Sequence, residues 1–173
     1  SEVPQIAEAL KQVGATANSL NVDFVETNAL IQTLALAGKQ GSEAGIGLRN
    51  VMTSLVSATG PASATLRGMN LSVKQLSQTL TNDGANAALK QLAGGLDTLG
   101  SDAERSAALV AIFGKENLAA AQALVENTDA TEKFNEALDG TNTAFDQMDV
   151  KLRTTSKRWD QFTSFLSNTA VGA

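Results

Sequence analysis

The chain has no cysteine, no histidine and no tyrosine, and a single tryptophan among its 173 residues. Without histidine, neither a Ser-His-Asp nor a Cys-His nucleophile can be assembled. Without histidine or cysteine, a transition-metal site would rest on carboxylates alone, a poor donor set for zinc. The missing cysteines exclude disulfides as well, although they do not fix the compartment. Aromatics make up only 4% of the sequence, so a core must be built from Ala, Leu, Val and Ile, which favours close helix packing over a sandwich. There are two prolines, Pro4 and Pro61, and the long intervals between them are free to be helical. No apolar run reaches the roughly 18 residues that a bilayer span requires. The opening Ser-Glu-Val-Pro-Gln lacks the basic start and apolar core of a signal peptide. It also lacks an initiating Met, as expected of a piece of a longer protein.

What is present points to a folded helical protein. The hydrophobic fraction of 43% is ordinary for globular chains, and the length suits one domain with an extension. The net charge of −5 comes from acidic and basic residues mixed along the chain. A nucleic-acid reader needs a clustered basic face, so no specific nucleic-acid recognition is expected.

Apolar residues recur at steps of three and four. Val3, Ile6, Leu10, Val13, Ala17 and Leu20 form one stripe, with Pro4 in the first turn, where a missing N–H is harmless, and Gly14 as a weak point. Asp23 and Glu26 read as a capping box opening a second helix to about Ala37, with Leu30, Ile31, Leu34 and Ala35 on its apolar side. Gly38 and Gly41 bracket a tight turn, and Ser42 is the expected cap of a third helix striped by Ala44, Leu48, Val51, Met52 and Leu55. Within that helix, Gly45 is the residue that lets a neighbouring backbone approach. Gly60-Pro61 ends it, and a short helix through Leu66 and Met69 stops at Asn70, a residue that tolerates the left-handed region. Another short helix carries Leu76 and Leu80, and Asn82-Asp83-Gly84 is a turn signal. Further helices are expected at about 85–99, with Gly94-Gly95 a weak point where a break is expected to be cheapest, at 101–113 behind a Ser101/Glu104 capping box with a stop at Gly114, and at 115–127. No window alternates strictly enough for a strand. The fold class is all-α, with about six to eight helices in a multi-helix domain over residues 1–127.

Residues 128–173 change period. Leu138, Phe145, Leu152, Trp159 and Leu166 lie seven apart, and Phe134, Thr141, Met148, Thr155 and Phe162 fill the other seam position. This predicts a long amphipathic, coiled-coil-like C-terminal helix, interrupted by Gly140. Two partners fit such a seam: the preceding domain, or another chain through self-association. Lys151, Arg153, Lys157 and Arg158 form the one basic cluster, beside Asp149 and Asp160. Solvated flanks of the seam are the plain reading, and contact with a membrane surface or DNA the sharper one.

Other chemistry is thin. Glu132 and Glu136 lie one turn apart, which in principle offers an acid/base pair, with a solvated acidic face as the plain reading. Asp83-Gly84 has one corner of a calcium loop without its alternating acidic ligands. The glycine-rich stretch 38–47 lacks the Gly-x-x-x-x-Gly-Lys-[Ser/Thr] order of a P-loop, and no strand precedes it. Its Gly-x-x-Gly lacks the sheet that a KH domain supplies.

Three segments resemble one family. Residues 35–49, ALAGKQGSEAGIGLR, are similar to the turn-and-helix signature in the core of phage tail tape measure proteins. Pro61 through Leu66 to Met69-Asn70-Leu71 resembles the family's proline-started helix ending in a Leu-Gly-Ile-like break, and Arg105 to Gly114 its Ala-rich helix ending in Phe-Gly. The order and spacing agree over residues 5 to 130. Asn70 stands where Gly is common, and Gly47 where Thr or Ala is common. The resemblance implies a non-enzymatic virion protein of the tail lumen, present in the host cytoplasm during assembly. It implies a ruler and scaffold role exercised by helix–helix contacts with itself, other tail proteins and tail assembly chaperones, and no cofactor or catalytic residue. The second functional reading is a membrane-active helical module that assists DNA passage through the host envelope. Residues expected to carry structural contacts are Gly38, Gly41, Ser42, Gly45, Phe145, Met148, Leu152, Trp159, Phe162 and Leu166.

Overall fold

The computed structural model describes residues 2–139. These form nine α-helices: α1 (Glu2–Ser19), α2 (Phe24–Leu36), α3 (Gly41–Ser57), α4 (Gly60–Gly68), α5 (Val73–Asp83), α6 (Ala85–Leu96), α7 (Asp102–Phe113), α8 (Leu118–Glu126) and α9 (Thr128–Asp139), with a 3₁₀ turn at Lys115–Asn117. No strand occurs among the described residues. The seam positions from Thr141 onward, including Phe145, Met148, Leu152, Trp159, Phe162 and Leu166, lie outside them, as does the basic cluster of Lys151, Arg153, Lys157 and Arg158.

Leucine dominates the interior. Leu10 and Val13 of α1, Leu30 and Leu34 of α2, and Leu48, Met52 and Leu55 of α3 meet Leu66, Leu76, Leu80, Leu89, Leu92 and Leu124 in one continuous core. Among the described residues, Phe113 is the one aromatic ring fully inside it. The three-and-four stripes of α1 and α3 therefore face inward as their spacing dictates. Gly14 does not interrupt α1, because packing of Val13 and Ala17 on the core outweighs the roughly 1 kcal/mol that a helical glycine costs. The helix expected over 115–127 begins instead as the 3₁₀ turn, entered through Gly114 at φ 85°. Gly60-Pro61 opens α4 after a two-residue gap from Ser57, with the proline in the first turn.

The chain turns by one repeated device. α1 ends with Asn21 at φ 61°, where the Val22 amide donates to the Ala17 carbonyl at 2.8 Å. α2 ends with Gly38 at φ 86°, where Lys39 donates to Leu34 at 3.0 Å and Gly38 to Ala35 at 3.0 Å. α4 ends with Asn70 at φ 61°, where Leu71 donates to Leu66 at 2.9 Å and Asn70 to Arg67 at 3.0 Å. Each is a Schellman closure: a left-handed residue turns the chain so that the last carbonyls find donors. After the third closure the connector is pinned against α6. A Cβ on Gly95 would meet Leu71 Cδ1 at 2.6 Å and Met69 Cβ at 3.2 Å, so the glycine that weakened the helix reading is what lets the connector lie close.

Substitution at the third closure separates backbone conformation from side-chain packing, because Asn70 is exposed. Asn70→Val is expected to lose about 1–2 kcal/mol, the cost of a left-handed branched residue, whereas Asn70→Gly is expected to stay within about 1 kcal/mol of the parent. Urea titration monitored by circular dichroism measures both.

Candidate functional site

The segment rich in glycine is the seat of the α1–α3 contact. After the Gly38 closure, Gln40 is the N-cap residue of α3 and gives no side-chain cap hydrogen bond, and Gly41 follows at φ 61°. Ser42, expected as the cap, lies inside the first turn, and its hydroxyl donates across to Glu8 Oε1 of α1 at 3.1 Å. A serine hydroxyl satisfies whichever acceptor is nearest, and here α1 lies closer than the helix's own end. One turn on, a Cβ added to Gly45 would collide with the Ala9 carbonyl and stand 2.8 Å from Gln12 Cβ. Arg49 Nη1 then donates to the Gln12 carbonyl at 3.4 Å. The contacts at 8/42, 9/45 and 12/49 climb both helices together, so α1 lies along α3 with backbones nearly touching at Gly45. On another side of α3, a Cβ at Gly47 would stand 3.1 Å from Ala120 Cβ of α8. Lys39 and Glu43 pair at 2.7 Å on the exposed side of the turn.

A second constellation was not legible as such. Glu26 does not close a box with Asp23, which is the N-cap residue of α2 with no side-chain cap bond of its own. Its carboxylate crosses to the start of α6, where it accepts from the Asn86 amide at 2.8 Å and also from that of Ala85. Gly84, at φ 106° and ψ 164°, joins α5 to α6 in a region open essentially to glycine alone. A Cβ there would stand 2.5 Å from Glu26 Oε2. Glu26 thus serves as the missing N-cap of α6, supplying negative charge to the positive end of that helix. The signal in the sequence is that α6 begins Gly-Ala-Asn, with no capping side chain at the N-cap position, so an acceptor must come from elsewhere. Burial pushes the Glu26 carboxyl above the usual carboxylate range; the Asn86 and Ala85 amides pull it down and the Asp23 charge pushes it up, both more weakly than burial.

From this point a polar seam ties α9 into the body. Asn86 Nδ2 donates to the Thr128 carbonyl at 3.0 Å, and the buried Thr33 and Thr131 hydroxyls share a hydrogen bond of 2.6 Å. Lys90 pairs with Glu132, and that hydrogen bond holds the Lys90 ammonium above its usual range. Glu132 is therefore one half of an exposed ion pair, not one of two free carboxylates with Glu136.

Among the described residues, no group of three or more acidic side chains is placed to hold a metal ion. No single described helix is long and apolar enough to cross a membrane. α7 and residues 115–126 pass by length and composition only as a pair bent by 112°, and much of their apolar surface (Leu109, Ile112, Phe113, Leu124) is spent inside the core. Among the described residues, what the geometry provides is a set of close helix contacts.

Residues 1–114 match a family described as phage-related minor tail protein. The chain belongs to that family. It is thus a structural phage tail protein and a virion component. The matched region runs from α1 through α7 to Gly114, and holds both the Gly45 contact and the Glu26 cap. Over 157 residues the chain is also 28% identical to the tape measure protein of Pneumococcus phage Dp-1, which covers 86% of this chain and 13% of that protein. The minor tail protein chain therefore spans about an eighth of the relative's length. No solved structure matches it.

The pH dependence of this tail protein's stability carries a signature of Glu26. A carboxyl whose folded pKa lies above its unfolded one binds its proton more tightly in the native state. Its contribution is therefore fullest below the unfolded pKa and is lost as pH rises through the folded value. Glu26→Gln keeps an acceptor for Asn86 and is expected to flatten that loss relative to the parent. Glu26→Ala removes the acceptor and is expected to cost about 1–2 kcal/mol near neutral pH, in the range of a lost cap. Denaturant midpoints across pH for the three chains check both outcomes.

Proposed function

We propose that this chain is a folded section of a tape measure protein, a non-enzymatic element that takes part in tail assembly and tail-length determination. It works in the tail lumen after assembly in the host cytoplasm, through helix–helix contacts with itself, with other tail proteins and with tail assembly chaperones. The similarity to the Dp-1 tape measure protein across most of the chain supports the reading. The observation that carries the mechanism is the density of helix stops. A ruler made only of length would be a monotonous helix, and 173 residues drawn into one helix would span about 260 Å. This chain instead fixes left-handed or glycine-only joints at Asn21, Gly38, Asn70, Gly84 and Gly114, and buries a core between the helices they separate. It acts as a module that must fold, and its contribution to tail length is secondary to the contacts it makes.

In-frame deletion of residues 1–139 from the parent gene, scored by electron microscopy and infectivity, tests this. Missing, irregular or non-infectious tails are expected. Uniform, infectious tails shortened by about 210 Å, the helical length of the deleted segment, would overturn the module reading in favour of a spacer.

A further inference from the structure

α9 differs from the other helices in what holds it. It packs chiefly on α2 and touches α6 and α8, yet none of residues 128–138 belongs to the continuous core. Thr131 is the one side chain among them that is fully buried, whereas each of α1 to α8 places aliphatic side chains in the core. The reason lies in α2. Its core side carries Leu30, Ile31 and Leu34, while Glu26, Ala29, Thr33 and Leu36 recur at steps of three and four on another face. On that second face Ala29 and Thr33 are fully buried without being part of the core, and α9 meets it where the Thr131 hydroxyl reaches Thr33. The covered face is small and polar.

Lifting α9 away therefore uncovers little apolar surface. Its largest apolar side chain, Phe134, is only half-buried, at the edge of a groove beside Ile31 and Leu36. The polar ties are also easily replaced. The Thr33 hydroxyl lies 2.9 Å from the Ala29 carbonyl and the Thr131 hydroxyl 3.2 Å from the Asn127 carbonyl, so each keeps a partner on its own side when the pair separates. Lys90 and Glu132 are already 41% and 51% exposed, and an ion pair so placed adds little. The Asn86 side-chain amide, which donates to the Thr128 carbonyl, exchanges that acceptor for water. Removal of any of α1 to α8 instead strips aliphatic contacts from the core. Segments with few buried apolar contacts open at lower free energy than the rest of a domain. We infer that α9 is a strap that opens as a unit, lifting from α2 while α1 to α8 stay folded.

Hydrogen exchange of the full chain, read peptide by peptide in a mass spectrometer, tests this. Amides of residues 129–138 are expected to share one protection factor, at least about a hundredfold lower than those of α2, α3 and α6, as a subglobal opening requires. Protection of α9 equal to that of α2 and α6 would mean that it opens only with the whole domain, and would overturn the inference. The absence of cysteine allows a lock, Thr33→Cys with Thr131→Cys, where the parent hydroxyls stand 2.6 Å apart. Closing that disulfide within one chain is expected to slow α9 exchange at least about tenfold while α7 and α8 are unchanged. A locked chain whose α9 exchanges as fast as before would show fraying in place and overturn opening as a unit. Thr131→Asp, which puts a charge under the strap, is expected to strip protection from α9 and leave α3 and α7 within about threefold of the parent. Loss of protection throughout the domain would show α9 to be integral to the fold and overturn the inference equally.

Discussion

The fold depends on how closely α1 can approach α3. At Gly45 the α3 backbone lies against the Ala9 carbonyl with no room for a side chain, and the rest of the interface follows from that closeness. Ser42 reaches Glu8 and Arg49 reaches the Gln12 carbonyl only because the two helix axes are drawn together there. Dispersion contacts fall off steeply with separation, so a gap of about half an ångström forfeits a sizeable share of them. In a chain with few rings to fill gaps, interior density must come from backbones brought near one another, and small residues at the crossing points do this. Gly45, Gly47 and Gly95 mark three such crossings, onto α1, onto α8 and onto the α4–α5 connector.

The second constraint is that short helices leave many unsatisfied ends. The nine helices of the described residues present end groups that must be hydrogen-bonded or exposed to water. The carbonyl ends are handled locally by Asn21, Gly38 and Asn70. Amide ends are handled partly locally, by Ser72 on Gln75 and Ser101 on Glu104, where Glu104 in turn accepts from Gly100 at 2.8 Å. They are also handled at a distance, by Glu26 on Asn86. Arg105, inside the segment that resembles the Phe-Gly helix, donates to the Leu96 carbonyl at the end of α6 and pairs with Asp102 at 2.6 Å. Capping side chains thus double as ties between helices, and the joints of the domain are also its fasteners.

This explains which features can be read from sequence. The stripes of α1 and α3, the left-handed break at Asn70 and the Ser101 box depend on residues a few positions apart, so local periodicity and turn chemistry reveal them. Ser42 and Glu26 have the right residue types for local caps, yet both bond across to another helix. Sequence spacing shows that an acceptor or donor is available, not which helix end will stand nearest to it. The same limit applies to Gly14 and Gly94-Gly95: their intrinsic penalty is visible in the sequence, while the packing that outweighs it at Gly14 and requires it at Gly95 is tertiary. Of the residues expected to make structural contacts, Gly38, Gly41, Ser42 and Gly45 converge on one turn-and-helix unit. Those from Phe145 onward lie outside the described residues.

If close approach at Gly45 is what the domain rests on, the same substitution must have opposite effects at two helical glycines. Gly94 of α6 is exposed, and a methyl group added there would meet nothing within 4 Å. At that position Gly→Ala is expected to gain up to about 1 kcal/mol from helix propensity alone. At Gly45 the same propensity gain is opposed by overpacking against Ala9 and Gln12, typically about 1–3 kcal/mol and more where backbone must shift. Thermal unfolding of the two variants followed by circular dichroism is the most direct measurement. A higher melting temperature for Gly94→Ala and a lower one for Gly45→Ala is the predicted result, and a Gly45→Ala chain that melts at or above the parent would contradict the account.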